Sequence, residues 1–475
     1  MVSSSLLSCP NPSFSFSFFQ DGATFLDGLY QFIWGAPLLI LIMGVGIYLT
    51  IALKGLQFRE LPYALSLAFG LKKAKEGKGD ISHFEALMTA LAGMIGIGNI
   101  AGVATAITVG GLGALFWMWV TGVIGMATKY AESLLALKYR QIDKNGEMAG
   151  GPMFFIEHGL KWHWLACSFA IFGAIAAFGG GNLIQANSIA DAIHCVFSIP
   201  PLYTGIIIAL LAGLTIIGGI KNIGRVASFL VPIMALFYVC GSLIIILYHA
   251  ERIPSTVLTI LTHAFSGEAA VGGFLGSSMA VALRTGISRG LMTSEAGLGT
   301  ASIAAAAAKS DLPGRQAIIS MTGSFIATVF LCSVTGLVLG VTNVLGEVDA
   351  QGNLITGSAL TLLAFTSVIS WGGIIVTVGI TLFGFTTIIG WAYYGEKCIE
   401  YLFGERLIFP YRIFFILIII PGAVLDLQTV WKVADITNAL MAIPNLIGIC
   451  ALSAVVIKEN KYFESVLLEE RKINL

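Results

Sequence analysis

Three glycines in six residues, Gly93, Gly96 and Gly98, are followed at once by Asn99 and then by Gly102, inside an apolar stretch of a 475-residue chain. Each glycine costs a helix about 1 kcal/mol relative to alanine. In lipid, backbone freed by such a break is tolerated only where it lines a cavity. Amide N–H groups at the half-helix amino ends then favour a carboxylate, and carbonyls at the other ends suit a cation or an ammonium. That chemistry fits a small zwitterion held beside a sodium ion. Small residues also serve close helix packing, but Asn99 places a polar group beside these glycines and favours a site.

Other residues supply what such a site lacks. Thr386 and Thr387 offer hydroxyls for a hard cation, and Trp391 follows Thr387 at i+4, on the same helical face. Paired threonines also bond back to their own helix carbonyls. Asn182 and Gln185 form an i, i+3 amide pair after Phe178, and either line a cavity or join helices. Lys129 and Glu132 are i, i+3 and read as a structural pair or a snorkelling lysine. A second glycine cluster, Gly272, Gly273 and Gly276 with Ser277 and Ser278, marks another candidate break. The seven cysteines are scattered with no CxxC pair and read as packing residues. The six histidines have no metal-ligand spacing.

The elements that must position these residues are membrane helices. Hydrophobic residues make up 57% of the chain and charged residues 11%, a balance no water-facing surface accommodates. With 26 basic and 26 acidic residues the net charge is zero, which excludes the basic footprint of a nucleic-acid binder. At about 20 residues per span, eleven candidates emerge, at about 31–53, 84–110, 112–138, 163–192, 202–220, 226–249, 268–300, 316–342, 372–402, 408–427 and 430–457. Eleven spans put 23 of the 26 basic residues on one side, which the positive-inside rule makes cytoplasmic, with the amino terminus out and the carboxyl terminus in. The seventh span, which contains Arg284 and Arg289, is the weakest by hydropathy. A run at Ser13–Phe19 is as compatible with a disordered tail as with the membrane surface. An amphipathic stretch near Ser358–Ser370 reads as a surface helix in an outer loop.

The expected class is an all-α membrane protein with this division: an extracellular tail over 1–30, an extra helix and cytoplasmic loop over 31–83, repeats over 84–249 and 250–457, and a cytoplasmic tail over 458–475. Without the first span, ten remain, and the two candidate breaks open the first five and the second five. Five is odd, so the halves have opposite topology. Matching broken helices in two halves point to the binding site of an inverted-repeat transporter.

The words GALFWMW at 113–119, ATKYAE at 127–132, GGPMFFI at 150–156, NLIQANSI at 182–189, SRGLMTSEAGLGTA at 288–301, GWAYYGEKCIEYLFG at 390–404 and MAIPNLI at 441–447 resemble the sodium:alanine/glycine symporters. The resemblance runs in order from about residue 25 to 457. It implies a leucine-transporter-like fold, a 5+5 inverted repeat preceded by one extra helix, and sodium-coupled uptake of alanine or glycine by alternating access. It implies that the carbonyls of Ala92, Ile95 and Phe383 and the hydroxyls of Thr386 and Thr387 face sodium. Gly96, Gly98 and Asn99 would contact the substrate, and Phe178, Asn182, Met279, Thr387 and Trp391 would line its pocket. Two positions depart from the family's words: Ile97 stands where GTGN has threonine, and Ala327 where FIDT has aspartate.

These readings predict a multi-pass transporter of the bacterial inner membrane, with alanine or glycine, sodium and lipid as partners and no nucleic acid. A proton-coupled carrier of another small solute on the same fold is the nearest rival. A membrane-embedded enzyme would need a nucleophile or metal cluster that the sequence does not display, and a channel would not accumulate solute. None of these sequence features encodes an oligomeric state.

Overall fold

The structure is a computed structural model that describes residues 20–473 apart from 73, 266–278, 350–351 and 426–427. It is helical nearly throughout, with one two-stranded hairpin, Gln141–Ile142 paired with Met148–Ala149. Helices stand at each of the eleven expected spans, the seventh described only from Met279 onward. Span 1 is Ala36–Ala52, preceded by a helix at Gln20–Ile33. Span 2 is His83–Met94 and Ala101–Gly110, and span 3 is Gly113–Lys138. Span 4 joins His163–Phe178 to Ile184–Phe197; spans 5 and 6 are Pro201–Ile216 and Gly219–Tyr248. Span 7 is Met279–Ser294 and Thr300–Ala306, and span 8 joins Pro313–Ser324 to Cys332–Thr342. Span 9 is Gly372–Phe403, span 10 joins Ile408–Leu417 to Ile419–Val424, and span 11 is Gln428–Ala451.

Seven helices among the described residues are individually long and apolar enough to cross a membrane. The other four spans fail that test for physical reasons. Spans 2 and 7 are broken, span 5 has only 16 residues, and span 3 buries Lys129 and Glu132. The two broken spans lie against each other. The first half of span 7 packs on the second half of span 2, and the last half of span 7 on the first half of span 2. Span 3 runs behind span 7, while spans 9, 4 and 11 enclose the other side. Span 1 stands outside this set, against spans 3 and 11.

Local signals start and hold these elements. Span 2 begins with a capping box: Ser82 Oγ accepts the Glu85 N–H at 3.2 Å, and Glu85 accepts the Ser82 N–H at 2.8 Å. On the same side, Arg140 donates to the carbonyls of Ala306, Ala308 and Lys78 at 2.8, 2.7 and 2.7 Å. It thereby satisfies the carboxyl end of span 7. The carboxyl tail is a further helix, Ser453–Ile473, tied down by ion pairs Arg59–Glu464, Lys138–Glu459 and Arg315–Glu470. The loop between spans 8 and 9 holds a helix at Gly357–Thr366.

Two expectations change. Arg284 and Arg289 lie in the half of span 7 that packs on the second half of span 2, so two of the 23 basic residues expected on one side of the membrane do not stand with the rest. Cys195 is disulfide-bonded, whereas Cys167, Cys240, Cys332, Cys398 and Cys450 are free thiols. The glycine cluster at 272–276 and the run at 13–19 lie outside the described residues. Among its described residues, span 7 breaks at Glu295–Gly299, where Glu295, Gly297 and Gly299 have φ of 49°, 96° and 81°. These are left-handed values that only glycine adopts freely.

Candidate substrate and sodium site

The break in span 2 is built by its own short-range chemistry. Helix ends at Met94, a single tight turn spans Ile97–Asn99, and helix resumes at Ala101. Asn99 Oδ1 accepts the Gly96 N–H at 3.1 Å, and its Nδ2 donates to the Ala327 carbonyl at 2.8 Å. Its own carbonyl accepts the Thr335 hydroxyl at 2.9 Å. Asn99 therefore holds the unwound turn in place and ties it to span 8; its amide is turned away from the cavity. Ile97 is buried, and its N–H points to Gln185 Oε1 at 3.4 Å. Ala327 meets the break through its backbone oxygen.

Close backbone contact brings span 9 to this turn. A Cβ on Gly390 would stand 2.9 Å from the Gly93 nitrogen, and one on Gly96 would stand 2.6 Å from Thr387 Oγ1. Neither position has room for a side chain. The result is a cluster of oxygens. Thr387 Oγ1 lies 3.1 Å from the Ala92 carbonyl, 3.4 Å from that of Ile95 and 2.9 Å from that of Phe383. Thr386 Oγ1 is 3.0 Å from the same Phe383 oxygen and 3.3 Å from Met234 Sδ. A hydroxyl has one hydrogen, so it can satisfy only one of three carbonyls. The surplus of oxygen lone pairs, with no buried cation among its hydrogen-bond partners, has the donor set of a hard-cation site. All five residues expected to face sodium are thus brought together.

Beside this cluster is a cavity of about 70 Å³ between the two breaks. Gly96, Gly98, Thr387 and Trp391 line it, as expected. Trp391 forms a wall, with its indole N–H donating to the Gly93 carbonyl at 3.2 Å. Phe178, Asn182 and Met279 do not line it. Phe178 packs edge-on against Tyr411 and Phe414 of span 10. Asn182 donates to the Phe415 carbonyl at 2.7 Å. Met279 is 40% exposed at the start of span 7. The cause in span 4 is a wide π turn at Gly179–Leu183. It adds a residue to the turn and rotates the helix beyond it. Asn182 and Gln185 no longer share a face: Gln185 lines the cavity and Asn182 bonds to span 10.

The cavity also holds residues that the sequence pattern did not single out: Arg289, Glu295, Trp431 and Asn438. Arg289 makes a loose ion pair with Asp435 of span 11 at 3.7 Å. The signal available was an ionisable residue inside a span, which is by default a functional candidate. Lys129 and Glu132 are both buried but form no ion pair within 4 Å, and Lys129 Nζ has no hydrogen-bond partner. Two larger hollows, of about 460 and 470 Å³, lie near Arg252 and His263 and near Cys195 and Trp371; neither touches a break.

The comparisons with known proteins identify the family. The sodium:alanine symporter family matches residues 20–474. The chain belongs to that family. It is 49% identical to the sodium/alanine symporter AgcS of Methanococcus maripaludis over 95% of this chain and 100% of that one. It is 35% identical to the probable sodium/glutamine symporter GlnT of Bacillus subtilis, over 89% of this chain and 87% of that one. Its fold is that of MhsT, solved with L-phenylalanine, with a TM-score of 0.59 and 13% identity over 81% of this chain and 93% of that one. The chain is therefore a multi-pass membrane protein of a symporter family with the leucine-transporter-like architecture, as its motifs led one to expect.

Proposed function

We propose that this symporter couples inward sodium movement to uptake of alanine, and of glycine, by alternating access. The observation that carries the reading is the oxygen cluster at Thr387 on the wall of a small cavity. At roughly 10–15 Å³ per water-sized group, about 70 Å³ holds about five to seven non-hydrogen atoms; glycine has five and alanine six. Trp391 and the close approach of Gly181 behind it leave no space for a large side chain. Ala92, Ile95, Phe383, Thr386 and Thr387 hold the ion, and the Gly98 N–H on the cavity wall receives the carboxylate. One sodium entering at 100 mV contributes about 2.3 kcal/mol, or roughly 50-fold in substrate gradient.

The amino terminus is placed outside and the carboxyl terminus in the cytoplasm of the bacterial inner membrane. The loops carrying Lys54 to Lys78, Lys138 to Lys161 and Lys309 to Arg315 support this orientation. So does the disulfide at Cys195, which falls at the outer end of span 4, where an oxidising compartment is needed. Labelled alanine and glycine uptake into proteoliposomes tests the function. Accumulation that needs an inward sodium gradient, and competition by small but not large amino acids, is expected. Equal uptake in sodium and choline would overturn it.

A further inference from the structure

Behind the cavity lies a second set of polar groups that the transport site does not use. Lys129 and Glu132 stand one turn apart on span 3, and neither is accessible to water. Glu132 is six residues from Lys138, or about 9 Å along the helix, so it sits well inside the span. Its Oε1 accepts the Gly297 N–H at 2.7 Å and the Asn445 amide at 2.8 Å. The same Asn445 amide donates to the Gly297 carbonyl at 2.8 Å. Glu132 thus clamps the broken turn of span 7 to spans 3 and 11. Its other oxygen, Oε2, has no partner, and neither do Asn445 Oδ1, Ser133 Oγ and Lys129 Nζ. Glu295, 1% exposed, joins this set to the cavity; its Oε2 accepts the Thr300 hydroxyl at 2.8 Å.

The groups that face Glu132 are Lys129 from its own span, Glu295 and the Gly297 and Gly299 amides from the break, and Asn445 from span 11, with Tyr394 of span 9 beside Glu295; the Gly299 amide stands too far from Oε2 to count as a hydrogen bond. Two carboxylates and one ammonium sum to one negative charge if all are ionised. Arg289 and Asp435, at the other end of the cavity, cancel each other. A single uncompensated charge at this depth costs several kcal/mol. Two ions can remove it: a sodium on the Thr387 wall of the same cavity, or a proton on the carboxylate oxygen that lacks a donor.

We propose that Glu132 Oε2 carries a proton while the sodium site is empty, and that sodium binding expels it to water, so that the symporter exchanges one proton for one sodium at the break of span 7. The step is a plain transfer: the carboxyl O–H gives its proton to water and becomes a carboxylate, and the sodium replaces the charge. It rests on the sodium reading of the Thr387 cluster. By linkage the two ions oppose each other. The apparent sodium affinity rises about tenfold per pH unit over the interval in which the proton is bound.

The test uses the purified full-length chain in weakly buffered detergent, between about pH 5 and pH 9. Sodium binding is followed by tryptophan fluorescence, proton release by a pH-indicating dye, and potassium serves as the control. Wild type is expected to release close to one proton per sodium bound, with a sodium affinity that tightens as pH rises. Glu132→Gln supplies an N–H where the protonated acid has an O–H. It is expected to bind sodium with no proton release and no pH dependence. Sodium binding by wild type without proton release, or undiminished release from Glu132→Gln, overturns the exchange and leaves the sodium site standing. Absence of sodium binding overturns both. The wild-type measurement decides the matter even where the variant does not fold.

Discussion

Replacing Thr387 by valine isolates the sodium site more sharply than any larger change. Valine keeps the branched shape beside Gly96 and removes only the hydroxyl. That hydroxyl is 3.1, 3.4 and 2.9 Å from the carbonyls of Ala92, Ile95 and Phe383. Its bond to Phe383 is a turn-to-turn bond within span 9, whose loss costs about 1 kcal/mol, so the fold persists. A polar contact to an ion is worth about 1.5–3 kcal/mol. At 1.4 kcal/mol per factor of ten, the apparent sodium affinity should weaken roughly 10- to 150-fold. The assay is the sodium dependence of initial alanine uptake in proteoliposomes, at saturating alanine, with thermal unfolding in detergent as the check on folding. Thr377→Val is the control. Thr377 is buried in the same helix, but its hydroxyl lies toward the Ala192 carbonyl at 3.5 Å, away from the cluster. A sodium half-saturation within about twofold of wild type in a folded Thr387→Val protein would refute the ligand assignment.

Gly181→Ala places a Cβ 2.4 Å from the Trp391 Cβ; overpacking of this kind costs about 1–3 kcal/mol, and it should lower the thermal midpoint and raise the KM for alanine by displacing Trp391. Asn99→Ala removes the acceptor of the Gly96 N–H and the donor to Ala327. It should destabilise by about 1–3 kcal/mol for each buried group left unpaired, seen as a lower unfolding temperature together with lost transport. At the carboxyl-terminal helix, hydrogen bonds from Arg315 hold the Glu470 carboxyl below the usual carboxylate range. Because the folded value is the lower one, the stabilisation is present above the unfolded value and is lost as pH falls through the folded one. Amide exchange over residues 453–473 should therefore quicken below about pH 4, and Glu470→Gln should show that faster exchange already at neutral pH.

The two breaks show why some of this was legible and some was not. The break in span 2 is written locally: glycines spaced to unwind the chain, and an asparagine three residues on that closes the turn on Gly96. The family resemblance names five residues there and on span 9 to face sodium, and the structure brings those five together. The break in span 7 has no such closure nearby. Gly297 is held by Glu132, 165 residues earlier, and by Asn445, 148 residues later. The break at Glu295–Gly299 is therefore not singled out from the sequence. Phe178 and Asn182 failed for a related reason. The family resemblance placed them on the cavity wall, but the π turn at Gly179–Leu183 rotates the helix between Phe178 and Gln185. A single sequence marks a three-glycine run there and does not say that the turn widens.

Composition understates the charge on one side of the cavity. A chain with only 11% charged residues suggests that zwitterion and cation are held by backbone ends, hydroxyls and amides alone. That holds for the span 2 side of the cavity, where every polar group is a carbonyl, an amide or a hydroxyl. The span 7 side is different: Arg289 and Glu295 line the cavity, and Lys129, Glu132 and Asp435 stand directly behind it. Few charges are present, but a large share of those inside the membrane converge on one broken turn. The two breaks therefore do different work. The neutral one offers lone pairs with the donor set of a hard cation and no charge of its own. The other gathers two carboxylates and one ammonium, which under the proposed exchange makes it the half that registers whether sodium has arrived.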